Sequence, residues 1–145
     1  RRHTRYPLVT GVQTCALPIL EGATYYYFGM PKNPVNEWLV ANHYTKFKSP
    51  PDFFTAGGMT AGIAVVEALK KTQGDASANK LIAAMEGMTF NSPKGPMTFR
   101  KEDHQALQSM YHFRIKVDPA FAWGVPELVN EIKASDMDVP IRNKR

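Results

Sequence analysis

An α/β fold is predicted for this 145-residue sequence by three observations. Segments rich in β-formers alternate with segments of helical apolar spacing, cap and breaker residues mark the boundaries, and one late segment alternates cleanly between apolar and polar residues. Residues 23–28, with three consecutive tyrosines and Phe28, predict a strand that stops at Gly29-Met30-Pro31. Asn33 and Pro34 then supply an N-cap and a proline at the first helical position. The helix they open is expected to run to about Lys48, with Val40, Tyr44 and Phe47 on one face, before Pro50-Pro51. Residues 52–56 predict a short buried strand leading into Gly57-Gly58. Met59, Ile63, Val66 and Leu69 predict a second helix that ends before Gly74. Ser77 or Asp75 opens a third, with Leu81, Ile82 and Met85 inward and Gly87 as its C-terminal cap. Met97 and Phe99 alternate in a strand after Pro93-Lys94-Gly95-Pro96. Tyr111, Phe113, Ile115 and Val117 against Met110, His112, Arg114 and Lys116 predict a strand with one face in the core. Pro126 opens a last predicted helix with Leu128, Val129 and Ile132 apolar, and residues 136–145 read as an exposed tail.

The first twenty residues do not share this logic. VTGVQTCALPI (9–19) has neither helical nor strand period, and it back-translates codon for codon into a fixed oligonucleotide of short-read sequencing libraries. Arg1-Arg2-His3-Thr4-Arg5 matches the outer part of the same adapter, and Tyr6-Pro7-Leu8 fills the space of a variable index. Residues 1–20 are therefore expected to be translated adapter without structure, joined at Leu20 to a genuine coding segment, and they are set aside in reading the fold. A secretory signal is the rival. Thr10, Gly11, Gln13 and Thr14 break its apolar region, and no small-x-small cleavage site follows.

Setting that segment aside changes the composition. The chain carries 18 Lys and Arg against 13 Asp and Glu, and without Arg1, Arg2 and Arg5 the formal charge falls from +5 to +2. So small an excess argues against a nucleic-acid partner. The single cysteine, Cys15, leaves with it. That excludes thiol catalysis, disulfides and cysteine metal sites from the remainder. No apolar run approaches the roughly 18–20 residues of a membrane span. About 125 residues can bury one core, but the abrupt start in a strand leads us to expect an absent upstream half.

Candidate chemistry is sparse. Gly57-Gly58-Met59-Thr60-Ala61-Gly62 sits between a predicted strand and helix, where a dinucleotide fingerprint would. Such a fingerprint needs glycine at its third position for the pyrophosphate to approach, and Met59 stands there. The turn instead offers exposed amides to a ligand carboxylate. Glu102-Asp103-His104 lacks a second histidine or acid at metal-ligand spacing and reads as a polar loop. His43 and His112 are isolated. The cluster Tyr25-Tyr26-Tyr27-Phe28 could stack bases, yet no lysine or arginine is interleaved with it. Met85 and Met88 read as core filling, and Arg142 to Arg145 as a solvated end. Neither a metal nor a cofactor is expected.

Taken in order, EGATYYYF, NPVNEWLVANHYTKF, PPDFFTAGGMTAGIAVVEALKK, KLIAAMEGMTFNSPKGPMTFRKEDHQALQSMYHFRIKV and WGVPELVNEI resemble the C-terminal part of branched-chain-amino-acid-type substrate-binding proteins of ABC transporters. The most specific pieces run from Glu86-Gly87 through Pro93-Lys94-Gly95-Pro96 to Thr98-Phe99-Arg100, followed by Asp103-His104-Gln105. The resemblance implies a partial type I periplasmic-binding-protein (Leu/Ile/Val-binding-protein-like) fold, with elements of a three-layer sandwich, over residues 21–135, and a tail over 136–145. It implies no enzyme. The expected function is to bind an amino acid or similar small organic acid between two lobes and deliver it to ABC permease subunits, in the periplasm or anchored by lipid outside the inner membrane. The segment matching the cleft gives the ligand-binding candidates Phe54, Ala56, Gly57, Gly58, Met59 and Thr60. Many relatives carry Tyr-Asp where this chain has Met59-Thr60, which removes an aromatic wall and a carboxylate and argues against a simple leucine-like specificity. Two rivals are a ligand-sensing domain of a receptor or regulator, and an α/β enzyme motivated only by the 57–62 turn.

Overall fold

The computed structural model describes residues 20–120 and 124–142; the expectation for residues 1–19 falls outside them. The chain starts with strand β1, Glu21–Thr24, and continues through helices α1 (Pro34–Phe47), α2 (Phe53–Lys71) and α3 (Ala78–Met85). Strands β2 (Thr89–Ser92), β3 (Gly95–Phe99), β4 (Ala106–Leu107), β5 (Met110–Lys116) and β6 (Val125–Ile132) follow, with a short 3₁₀ turn at Ala134–Asp136. The strands form two antiparallel three-stranded sheets, in the orders β1-β5-β6 and β2-β3-β4. One sheet thus joins the chain's early strand to its last two, and the other is local.

Two apolar clusters hold these elements. In the first, α2 presents Ala64 and Ala68 to Met88, Phe90 and Met97 of the local sheet, with Ile63, Leu81 and Met85 packed around them. In the second, Tyr26, Leu39 and Ala56 bring the segment after β1, α1 and α2 together. The buried positions of α2 are Ala56, Thr60, Ala64 and Ala68, a row of small residues at i, i+4 spacing that lets the helix lie close to its neighbours.

Three predicted elements differ. Residues 52–56 are not a strand: Asp52 accepts from the Thr55 amide at 2.7 Å and so starts α2, overriding the β preference of Phe53 and Phe54. The last element is a strand, not a helix. Val125, Val129 and Ile132 are β-branched, β5 offers a free edge, and Pro126 is tolerated because β6 is itself an edge. Its register slips between His112 and Phe113, where Val129 is the extra residue of a bulge. The first strand lies earlier than expected, at Glu21–Thr24, and Tyr25 to Phe28 belong to the turn that follows.

The helix faces also shift. α1 buries Asn36 and Leu39, while Tyr44 and Phe47 are exposed; Ile82 of α3 and Val66 of α2 are exposed as well. Other expectations hold. Asn33 caps α1, Ser77 precedes α3, Gly87 adopts φ +69°, and Tyr111 is the most buried residue of β5.

Candidate functional site

The candidate region is built where the segments after β1 and β2 meet the start of α2. After Thr24 the chain turns and sends the Tyr26 ring inward, where its hydroxyl donates to Asn36 Oδ1 at 2.9 Å. Asn36 Nδ2 donates to the carbonyls of Phe28 (2.9 Å) and Pro31 (3.0 Å), so one buried side chain fixes the whole turn. Asn33 does two tasks. Its Oδ1 caps the Asn36 amide, and its Nδ2 donates to Pro93 O at 3.2 Å, tying α1 to the β2–β3 hairpin.

That hairpin has Pro93-Lys94 at its tip, between the paired residues Ser92 and Gly95. Gly95 has φ +100°, which a side chain would strain. Ser92 Oγ donates to Gly95 O (2.8 Å) and accepts from the Lys94 amide (3.1 Å). Tyr111 Oη donates to Lys94 O at 3.1 Å, which fastens the hairpin to the other sheet. Lys94 is thereby held 6% exposed, with Nζ 4.7 Å from the Tyr25 ring centroid. Burial pushes its ammonium below the ordinary lysine range. The Tyr25 ring in turn meets Phe53 edge-on at 5.6 Å, and Phe53 stacks obliquely on Phe54 at 4.2 Å.

At this helix start Asp52 Oδ1 also accepts from Thr55 Oγ1 at 2.8 Å. The Thr55 amide and hydroxyl hold its carboxyl below the usual carboxylate range. An open cleft of ≈ 810 Å³ lies along Tyr26, Tyr27, Phe28, Tyr44, Asp52 and Phe53.

The six candidate ligand residues fall on the first two turns of α2 rather than on a strand-to-helix turn. Phe54 is 74% exposed. Ala56 and Thr60 face inward, and Thr60 Oγ1 donates back to Ala56 O at 2.7 Å. Gly57, Gly58 and Met59 lie within the helix, where the backbone ladder takes up amides that a turn would have left open. Met59 packs beside the Tyr26, Leu39 and Ala56 cluster. The structure therefore sets Phe54 against Phe53, whose other aromatic neighbour is Tyr25, and gives the glycines no role as free donors. Sequence reasoning passed over Lys94, Tyr111 and Asn36. The available signal was the Ser-Pro-Lys-Gly turn, which places a cation at a hairpin tip.

The other polar candidates are structural. Arg100 donates to Asp103 through Nε (2.8 Å) and Nη2 (2.6 Å) and to Val139 O through Nη1 (2.6 Å), so the loop after β3 holds the C-terminal segment. His104 Nε2 lies 3.1 Å from Glu86 Oε1, and His112 Nε2 2.9 Å from Glu21 Oε2. Among the described residues no group of three His, Cys, Asp or Glu could hold a metal, and no helix is long and apolar enough to cross a membrane.

The two buried tyrosines predict an alkaline limit to stability. Burial foremost, with the Asp52 charge second, pushes Tyr26 up to about 12; burial and Glu131 do the same to Tyr111. An unfolded tyrosine ionises near ~10. Their contribution is therefore complete below pH 10 and is lost as the pH rises towards 12. Absorbance of tyrosinate and far-UV circular dichroism should change together in that window. Full tyrosine ionisation near pH 10 in a still-folded protein would contradict the burial.

Comparison with known proteins places this geometry. The family model described as periplasmic binding protein matches residues 9–120, a match that begins inside the segment read as adapter. An ABC-type branched-chain amino acid transporter from Rhodopseudomonas palustris CGA009 is 63% identical, with a TM-score of 0.82 over 87% of this chain and 34% of that one. A second ABC transporter structure from Rhodopseudomonas palustris is 66% identical over 72% of this chain and 31% of its own length, with a TM-score of 0.54. A solute-binding protein of an ABC transporter from Rhodopseudomonas palustris BisB5, in complex with 3,4-dihydroxybenzoic acid, is 30% identical, with a TM-score of 0.68 over 79% of this chain and 31% of that chain. No curated protein matches the chain. The chain belongs to the periplasmic binding protein family, with the type I fold. It spans about a third of the length of these structures.

Proposed function

We propose that this chain forms part of the solute-binding subunit of an ABC importer, whose ligand is a small carboxylate, either a branched-chain-type amino acid or a similar organic acid. The observation that carries the reading is the 63% identity to an ABC-type branched-chain amino acid transporter over 87% of the chain. The dihydroxybenzoate bound to the 30% identical relative widens the ligand class from amino acids to organic acids, and both share the carboxylate. Such a protein transforms nothing. Its work is differential binding: the solute favours a closed arrangement of two lobes, and that state delivers it to the permease. The reading places the protein in the periplasm or on the outer face of the inner membrane, and it assigns neither catalysis nor a cofactor to the chain.

Of the six residues proposed for the ligand, Phe54 at the exposed start of α2 remains the best placed, and Ala56 and Thr60 would act by setting how closely α2 packs. Titration calorimetry of the full-length protein against leucine, isoleucine, valine, benzoate and 3,4-dihydroxybenzoate is expected to show saturable binding of at least one. The 145-residue chain alone, about a third of the length of these structures, is expected to show none. Absence of binding by the full-length protein across organic acids and amino acids would remove the reading.

A further inference from the structure

We propose that Lys94 is the residue that receives the ligand's carboxylate, and that Tyr25, Phe53 and Phe54 form the apolar face against which the body of the ligand lies. The inference rests on the solute-binding reading and adds to it a cation, a position and a shape.

Lys94 is 6% exposed, yet its Nζ forms no ion pair among the described residues. Desolvation is the cause of its depressed ammonium, with no nearby carboxylate offsetting it. A charge held in this way without a counter-ion is unfavourable unless something else meets it. The Tyr25 ring meets one side, at 4.7 Å. The backbone that carries this side chain is fastened on three sides, by Ser92, by Tyr111 and through Pro93 by Asn33, so its stem starts from a fixed point. This is the arrangement of a pre-positioned anion receptor.

A second observation lies beside it. Tyr25 is half-buried, and its ring leads through Phe53 to Phe54, so the aromatic path from the ammonium ends at the surface. The same place is the N-terminal end of α2, a helix of 19 residues whose positive end favours an anion. The one carboxylate there, Asp52, is engaged by Thr55. A cation, a helix N-terminus and three aromatic rings suit a flat or apolar monocarboxylate.

The test uses the full-length protein and titrates benzoate and L-leucine into wild type, Lys94→Met and Lys94→Arg, with thermal melts of each. Truncating one partner of a buried charge pair predicts a loss of roughly 30-fold or more in affinity for Lys94→Met. Lys94→Arg, which keeps the charge, should retain most of it. Benzoate bound more tightly than leucine supports the flat apolar face; leucine favoured over benzoate overturns that half of the proposal. Unchanged affinity in Lys94→Met overturns the role of Lys94 while leaving the solute-binding reading intact, whereas a wild type that binds no small carboxylate removes both. Should the variants not fold, a crystal structure of wild type with its carboxylate decides. The proposal expects a carboxylate oxygen about 2.8 Å from Nζ, and a carboxylate bound elsewhere sinks it.

Discussion

Asn36→Ala is expected to lower the stability of the protein by about 3 kcal/mol, the largest effect of any single polar change in the described region. Asn36 is buried, and its amide satisfies three groups at once: the Tyr26 hydroxyl and the carbonyls of Phe28 and Pro31. Alanine leaves all three without this partner. Tyr26→Phe breaks only one of these bonds and should cost about 1 kcal/mol. Urea denaturation of the two variants measures the ratio. Equal and small losses would mean that the turn after β1 is held by something other than this amide. Because the same turn carries Tyr25, the Asn36 variant should also weaken ligand binding more than Tyr26→Phe does.

Met88→Ala should be comparably damaging for a different reason. Met88 is 1% exposed and lies between α2 and the local sheet, against Ala64, Ala68, Phe90 and Met97. The neighbours on α2 are alanines, which have no rotamers with which to fill the space left behind. A loss of about 3 kcal/mol follows from lost transfer energy plus a persistent cavity. Ile82→Ala is the contrasting change. Ile82 is 50% exposed, and its removal should cost about 0.5 kcal/mol or less. A protein that lost as much stability from Ile82 as from Met88 would have α3 turned the other way, as its apolar spacing alone suggested.

The sequence by itself determined the elements that carry local signals. Asn33-Pro34 started α1, Gly87 ended the turn after α3, and the alternation from Met110 to Lys116 made β5, because caps, positive φ and period two act over a few residues. The family too was legible, in the run from Glu86 to Gln105, and the comparisons bear it out. Local signals misled where two of them competed. At residues 52–56 the β preference of two phenylalanines outweighed, on paper, an aspartate cap that in the fold starts α2. At residues 125–132 a leading proline and apolar spacing suggested a helix, and the free edge of β5 made a strand.

What only the tertiary structure decided is which side chains end up without a partner and which are fully used. Nothing in NSPKGP says that its lysine is buried beside a tyrosine sixty-nine residues earlier in the chain. Nor does GGMTAG say that its amides are consumed by a helix ladder. Both depend on contacts between distant segments: Tyr111 on the hairpin, Asn33 on Pro93, and Tyr25 between Lys94 and Phe53. A cation's burial, and hence its hold on an anion, is set by neighbours that only folding brings together.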